Sequence, residues 1–76
     1  MANILITEFM ENEQIDIMSS KHNVSYEPEI YANPKALLDR SNDIEALIVR
    51  NKTNVDKQLL NSMKGLKVIG RLGVGL

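Results

Sequence analysis

The chain contains no cysteine. That excludes disulfides, thiolate metal sites and a thiol nucleophile, and it fits a reducing cytoplasm, the expected location. The single histidine, His22, cannot make a zinc site, and its polar surroundings point to exposure rather than catalysis. No apolar run approaches the roughly 18 residues needed to cross a bilayer. The opening Met1-Ala2-Asn3-Ile4-Leu5-Ile6-Thr7-Glu8 has neither the basic flank nor the long apolar core of a signal peptide. Nor is charge of one sign in excess: nine Lys and Arg stand against ten Asp and Glu, a net charge of -1. Without a basic field to attract nucleic acid or an acidic membrane, neither is expected as a partner.

What is present is an ordinary soluble composition, 43% hydrophobic and 25% charged over 76 residues. That length makes at most one small domain, and such a domain hides only about 60% of the surface its unfolded chain exposes, so its stability is expected to be marginal.

Four short apolar runs divide the chain. Ile4-Leu5-Ile6 and Ala46-Leu47-Ile48-Val49 are unbroken and β-branched, which suits central parallel strands covered on both faces by helices. Val68-Ile69 is a third run of this kind, and Val24-Ser25-Tyr26 is weaker and suits an edge. Helical spacing fills the intervals. Asn12 is the expected cap of a helix from Glu13 to about Ser20, with Ile15 and Met18 on one face and Glu13, Asp16 and the preceding Glu11 in solvent. Asn33-Pro34 opens a second helix, because Asn caps well and Pro at the first position loses no hydrogen bond; Ala36, Leu37 and Ile44 should face inward. Asp56 caps a third carrying Leu59, Leu60 and Met63 inward, with Gly65 as a left-handed stop followed by Leu66. Met10, Met18 and Met63 are expected to fill core.

The resulting order βαβαβαβ implies an α/β fold with a parallel sheet and right-handed crossovers. The simplest arrangement is flavodoxin-like, strand order 2-1-3-4, with the first helix on one face and the other two on the opposite face. The fourth strand is then a bare edge, and self-association is expected there through Leu72, Val74 and Leu76.

Ligands of open α/β sheets bind beyond the carboxyl ends of the strands. Four segments lie there: Thr7-Glu8-Phe9-Met10, Glu27-Pro28, Arg50-Asn51-Lys52-Thr53 and Gly70-Arg71-Leu72-Gly73-Val74-Gly75. Adjacent third and fourth strands bring Arg50 and Arg71 to one rim, beside backbone amides left accessible by Gly73 and Gly75. Two guanidinium forks and open turn amides suit a carboxylate, phosphate or sulfonate. An arginine just past a strand is also, more often than not, a solvated flanking charge. Gly70-x-x-Gly73-x-Gly75 is not the dinucleotide fingerprint, which requires G-x-G-x-x-G opening a helix and an acidic residue about 20 positions on. Glu8 has the chemistry of a rim acid or base, but no His, Cys or second carboxylate is placed by sequence to work with it.

These residues resemble the start of the D-isomer-specific 2-hydroxyacid dehydrogenases, the family that includes the phosphoglycerate dehydrogenases. Ala46-Leu47-Ile48-Val49-Arg50-Asn51-Lys52-Thr53-Asn54-Val55 is similar to the family's apolar strand followed by Arg, a small polar residue, Thr and Val. Leu66-Lys67-Val68-Ile69-Gly70-Arg71-Leu72-Gly73-Val74-Gly75-Leu76 is similar to its strand and glycine turn. The resemblance implies that residues 1–76 are the N-terminal part of a substrate domain, while a separate Rossmann domain outside this chain binds NAD. It also implies that Arg50 binds an acidic substituent of the substrate, that Arg71 lines the same cleft, and that amides around Gly73, Val74 and Gly75 hold the carboxylate. The family's catalytic Arg, acidic partner and acid/base His have no counterpart in residues 1–76, so no catalytic residue is assigned. Asn51 stands where phosphoglycerate enzymes often have Ser, and the rim segments look closer to a branch with sulfolactate dehydrogenase-like proteins.

The expected function is therefore a share in an NAD-dependent oxidoreductase that interconverts a 2-hydroxy acid and a 2-oxo acid bearing a second anionic group. This chain would supply anion-binding groups, hold no cofactor or metal of its own, and be inactive alone; the parent would be a homodimer or larger. The alternative is a stand-alone flavodoxin-like module that binds an anion or a protein without catalysis.

Overall fold

A computed structural model of the chain describes residues 2–71. Four strands, β1 (Asn3–Ile6), β2 (Asn23–Tyr26), β3 (Ala46–Val49) and β4 (Val68–Arg71), alternate with helices α1 (Asn12–Ser19), α2 (Pro34–Asp39) and α3 (Lys57–Ser62). A single 3-10 turn, Ile30–Ala32, precedes α2. The sheet runs β2-β1-β3-β4 with every pairing parallel, as the order of the apolar runs predicts. The fold is α/β.

Parallel strands in register present the same face at paired positions, and this alternation builds two cores. Leu5, Leu47 and Val49 meet Leu37 of α2 and Leu59 of α3, joined by Ile30, Ile44 and Met63. Ile4, Ile6 and Met10 pack on the other side with Ile15 and Met18 of α1, Val24 and Ile48. One helix thus lies on one face and two on the other. Leu5 and Leu47 are completely buried, and full burial of such a side chain contributes about 1.5–3 kcal/mol. The α1 face is the thinner layer: a single helix roofs it, so Ala46 and Ile48 are only half-buried. The expectation that β3 is covered on both faces holds only for its Leu47 and Val49 side.

Helix ends follow local chemistry where a side chain can supply it. Asn33 Oδ1 accepts the Ala36 N–H at 3.2 Å, and Asp56 Oδ1 accepts the Leu59 N–H at 2.9 Å. Helix α1 differs from expectation. Its cap is Glu11 in an extended conformation, without a side-chain hydrogen bond, and Asn12 is already helical. In α3, Leu59 is buried but Leu60 is 42% exposed, because a six-residue helix offers the core a single stripe. Helix α3 closes on Met63, whose N–H reaches the carbonyls of Leu59 and Leu60. Gly65 has no left-handed backbone, so it is not the stop; a turn from the Leu66 N–H to the Met63 carbonyl, 3.1 Å, follows instead.

His22 is half-buried rather than exposed. Its Nδ1 accepts the Ala2 N–H at 3.1 Å, which ties the start of β1 to the turn before β2. At the same end of the sheet, Glu45 accepts the Asn3 N–H at 3.1 Å and lies 3.5 Å from Lys67. The Asn3 amide lowers the Glu45 pKa against the opposing effect of burial, and Lys67 adds to the lowering.

Candidate functional site

The carboxyl ends of the strands carry the residues singled out above, and the best-defined among them is Glu8. Just past β1 it is 2% exposed. Its Oε2 accepts the N–H of Arg50 at 2.9 Å, the N–H of Thr53 at 2.8 Å and the Thr53 hydroxyl at 2.5 Å. The Lys52 N–H lies 3.0 Å from Oε1 and 3.2 Å from Oε2. The loop after β3 is therefore a nest of converging amides, and the anion it encloses is the chain's own carboxylate.

Burial disfavours charge on Glu8. The Thr53 hydroxyl and the amides of Arg50, Thr53 and Lys52 outweigh that effect and hold the carboxyl below its ordinary pKa. Thr53 has one hydroxyl proton and gives it to Glu8, so across its 2.7 Å contact with Thr7 it must accept. The Thr7 hydroxyl is then the donor, oriented toward Thr53 rather than toward the Ile48 carbonyl 3.3 Å away. An ionised carboxylate saturated by four donor groups is a poor general acid or base. Glu8, for which the sequence offers no catalytic partner, has a positioning role: it fixes the segment that carries Arg50.

Arg50 follows β3, and Arg71, the last residue of β4, pairs with Val49. Both arginines line an open cleft of about 330 Å³, together with Val49, Asn51, Thr53, Val55 and Ile69. Arg71 shares the Val49 face of the sheet and is exposed. Arg50 is half-buried, and its Nη1 donates to the Phe9 carbonyl at 3.4 Å, on the β1 side of the loop. That bond is long and exposed, so it is a weak tether. Arg50 thus stands in the wall between the Arg71 cleft and the neighbouring rim above β1. The other expected anion-binding positions, Gly73, Val74 and Gly75, lie outside the described residues, as do Leu72 and Leu76.

Among the described residues, no group of three His, Asp or Glu side chains could hold a metal. No described helix is long and apolar enough to cross a membrane. For a dinucleotide, the decisive place in such a fold is a glycine-rich turn from the first strand into the first helix. Here Thr7-Glu8-Phe9-Met10-Glu11 makes that connection without a glycine and with a carboxylate at its centre, so this turn does not fit a pyrophosphate.

Sequence reasoning missed the Glu8 nest because its partners are 42 to 45 residues away. The available signal was a carboxylate directly after a buried strand, with a loop of polar residues after the neighbouring strand.

Comparison with known proteins agrees with the fold. Residues 4–76 match the family model described as D-isomer specific 2-hydroxyacid dehydrogenase, catalytic domain. Over 76 residues the chain is 37% identical to an (S)-sulfolactate dehydrogenase of Chromohalobacter salexigens, covering all of this chain and 25% of that protein. It is 34% identical over 73 residues to a D-3-phosphoglycerate dehydrogenase of Archaeoglobus fulgidus, covering 96% of this chain and 14% of the relative. A D-3-phosphoglycerate dehydrogenase of Methanocaldococcus jannaschii is 32% identical over 76 residues, again with 14% of its length covered. The chain spans a quarter or less of the length of these curated relatives. With the family model matched from the first strand onward and the parallel 2-1-3-4 sheet beneath it, the chain belongs to the D-isomer specific 2-hydroxyacid dehydrogenases.

Proposed function

We propose that this chain forms the N-terminal part of the substrate domain of an NAD-dependent oxidoreductase that interconverts a 2-hydroxy acid and a 2-oxo acid. Its share of the work is to grip a second anionic group on the substrate. The observation that carries this reading is the cleft beyond β3 and β4, lined by both Arg50 and Arg71. A guanidinium is always charged and offers paired donors to a carboxylate, sulfonate or phosphate. The amides around Gly73, Val74 and Gly75 are assigned to the substrate carboxylate. Glu8 acts through the backbone: by holding the amides of Arg50, Lys52 and Thr53 it sets where the Arg50 side chain starts.

NAD, when bound in the parent protein, accepts or returns the hydride. This chain's residues bind and orient the acid, and proton transfer at the oxygen on the reacting carbon is assigned to groups outside residues 1–76. Similarity to an (S)-sulfolactate dehydrogenase and to D-3-phosphoglycerate dehydrogenases supports a substrate with a tetrahedral oxyanion at its far end. The proposal includes a cytoplasmic location and a homodimer or larger assembly.

The test is turnover with NAD across a panel of 2-hydroxy acids that differ only in the presence of a sulfonate, phosphate or second carboxylate. The full-length protein carrying this chain should prefer the doubly anionic acids, and residues 1–76 alone should turn over none. Turnover by residues 1–76, or indifference of the full-length protein to the second charge, overturns the proposal.

A further inference from the structure

The chain has one Phe, two Tyr and no Trp. All three aromatic residues, Phe9, Tyr26 and Tyr31, line a single cleft of about 380 Å³ above the carboxyl ends of β1 and β2, closed on its other side by Arg50, Asn51 and Lys52. This cleft and the one shared with Arg71 lie on either side of Arg50.

Its hydrogen-bonding capacity is unbalanced. Among the described residues the ion pairs are Arg40 with Glu27 and Lys67 with Glu45, so neither Arg50 nor Lys52 has a carboxylate partner. The Lys52 ammonium lies over the Tyr31 ring, 5.4 Å from its centroid, and the Arg50 guanidinium reaches toward the Phe9 carbonyl. The Tyr26 hydroxyl accepts the Met10 N–H at 3.3 Å, which leaves its own proton to donate. Two carboxylates border the cleft, but Glu8 is saturated by the loop beneath, and Glu29 is exposed at the mouth. Donors and positive charge therefore exceed what the protein itself satisfies. Beside them lies apolar surface: Phe9 is 56% exposed, an unusual exposure for the largest apolar side chain of a small domain.

We propose that this cleft is a binding site for a small organic oxyanion with a flat unsaturated body. The charged end lies between Arg50 and Lys52 with the Tyr26 hydroxyl as a further donor, and the flat body rests against Phe9 and Tyr31. Lys52 is held for this role by a ring rather than by an acid, so no ion pair has to break when the anion enters. The site shares Arg50 with the proposed substrate cleft but does not use Arg71, and its existence does not depend on that reading.

The test is an amide NMR titration of the full 76-residue chain with benzoate, using sulfate as a charged probe without a flat body. Benzoate should give saturable shifts at Tyr26, Tyr31 and Lys52 with a dissociation constant on the order of a millimolar, and sulfate should bind at least about fivefold more weakly. Lys52→Gln, at an exposed position, and Tyr31→Leu should each weaken benzoate at least about fivefold, while Arg71→Ala should change it less than about twofold. Absence of saturable shifts at these residues, equal binding of sulfate, or undiminished binding in Lys52→Gln overturns the proposal. Loss of binding in Arg71→Ala also overturns it, because the two clefts would then be one.

Discussion

Replacing Glu8 should unfasten the rim more than any other single change to a charged side chain. Glu8→Ala removes the acceptor for three backbone amides and one hydroxyl at a site that is 2% exposed. A hydrogen bond to a charged group contributes about 1.5–3 kcal/mol, and a buried donor left without a partner costs about 1–3 kcal/mol. Water entering the vacated space recovers part of this, so the expected loss is about 3–5 kcal/mol, the range for breaking a buried polar network. A chain of this length at roughly 0.05–0.15 kcal/mol per residue has only about 4–11 kcal/mol in total. Urea titration should therefore show a large fall in the midpoint with little change in slope. Glu8→Gln should lose less, because one oxygen can take the Oε2 position, but its amide NH₂ then faces the Lys52 N–H.

The pH dependence gives a second readout of the same contact. The Glu8 pKa is lowered on folding, so below neutrality the unfolded chain binds the proton more readily. Its contribution is complete above the unfolded value of about 4.3 and is lost as pH falls through the lower folded value. The stability of the parent chain should fall through this acid window more steeply than that of Glu8→Gln. A Glu8→Ala protein within about 0.5 kcal/mol of the parent, the scatter of ordinary surface substitutions, would refute the reasoning.

Other substitutions probe the remaining supports. Asp56→Ala removes the acceptor of the Leu59 N–H and should cost about 1 kcal/mol in urea unfolding, whereas Asp56→Asn keeps a capping oxygen and should retain most of that stability. Leu5→Ala, at a completely buried position between α2, α3 and the central strands, should cost about 2–5 kcal/mol by the same measurement. Val68 and Ile69 are 58% and 40% exposed on the edge strand, so residues 1–76 should self-associate with rising concentration, and Val68→Lys should reduce this in light scattering.

Much of the fold was legible because its signals are local. Ile4–Ile6 and Ala46–Val49 are unbroken runs too short for helices, and the helical spacing between runs forces parallel crossovers, from which the 2-1-3-4 order follows. Asn33 and Asp56 were readable as caps because their oxygens bond three residues ahead. The cap of α1 was not readable, since Glu11 makes no side-chain bond there and its role is set by backbone angles alone. The exposure of Leu60 was hidden because two adjacent leucines cannot both face the core on so short a helix, and sequence does not say which one does. Gly65 permits a left-handed stop, but this turn does not use one. At the site, the common cleft of Arg50 and Arg71 followed from strand adjacency. The role of Glu8 did not, because it depends on a loop brought to it only by the pairing of β1 with β3.

The central claim concerns what Arg71 and Arg50 hold, and steady-state kinetics of the full-length protein test it most directly. For a 2-hydroxy acid with a second anionic group, Arg71→Ala should lower kcat/KM about ten- to a hundredfold, the worth of one charge-assisted contact. For the matching acid without that group, kcat/KM should stay within about twofold. An equal loss on both acids, or no loss on either, would contradict the account.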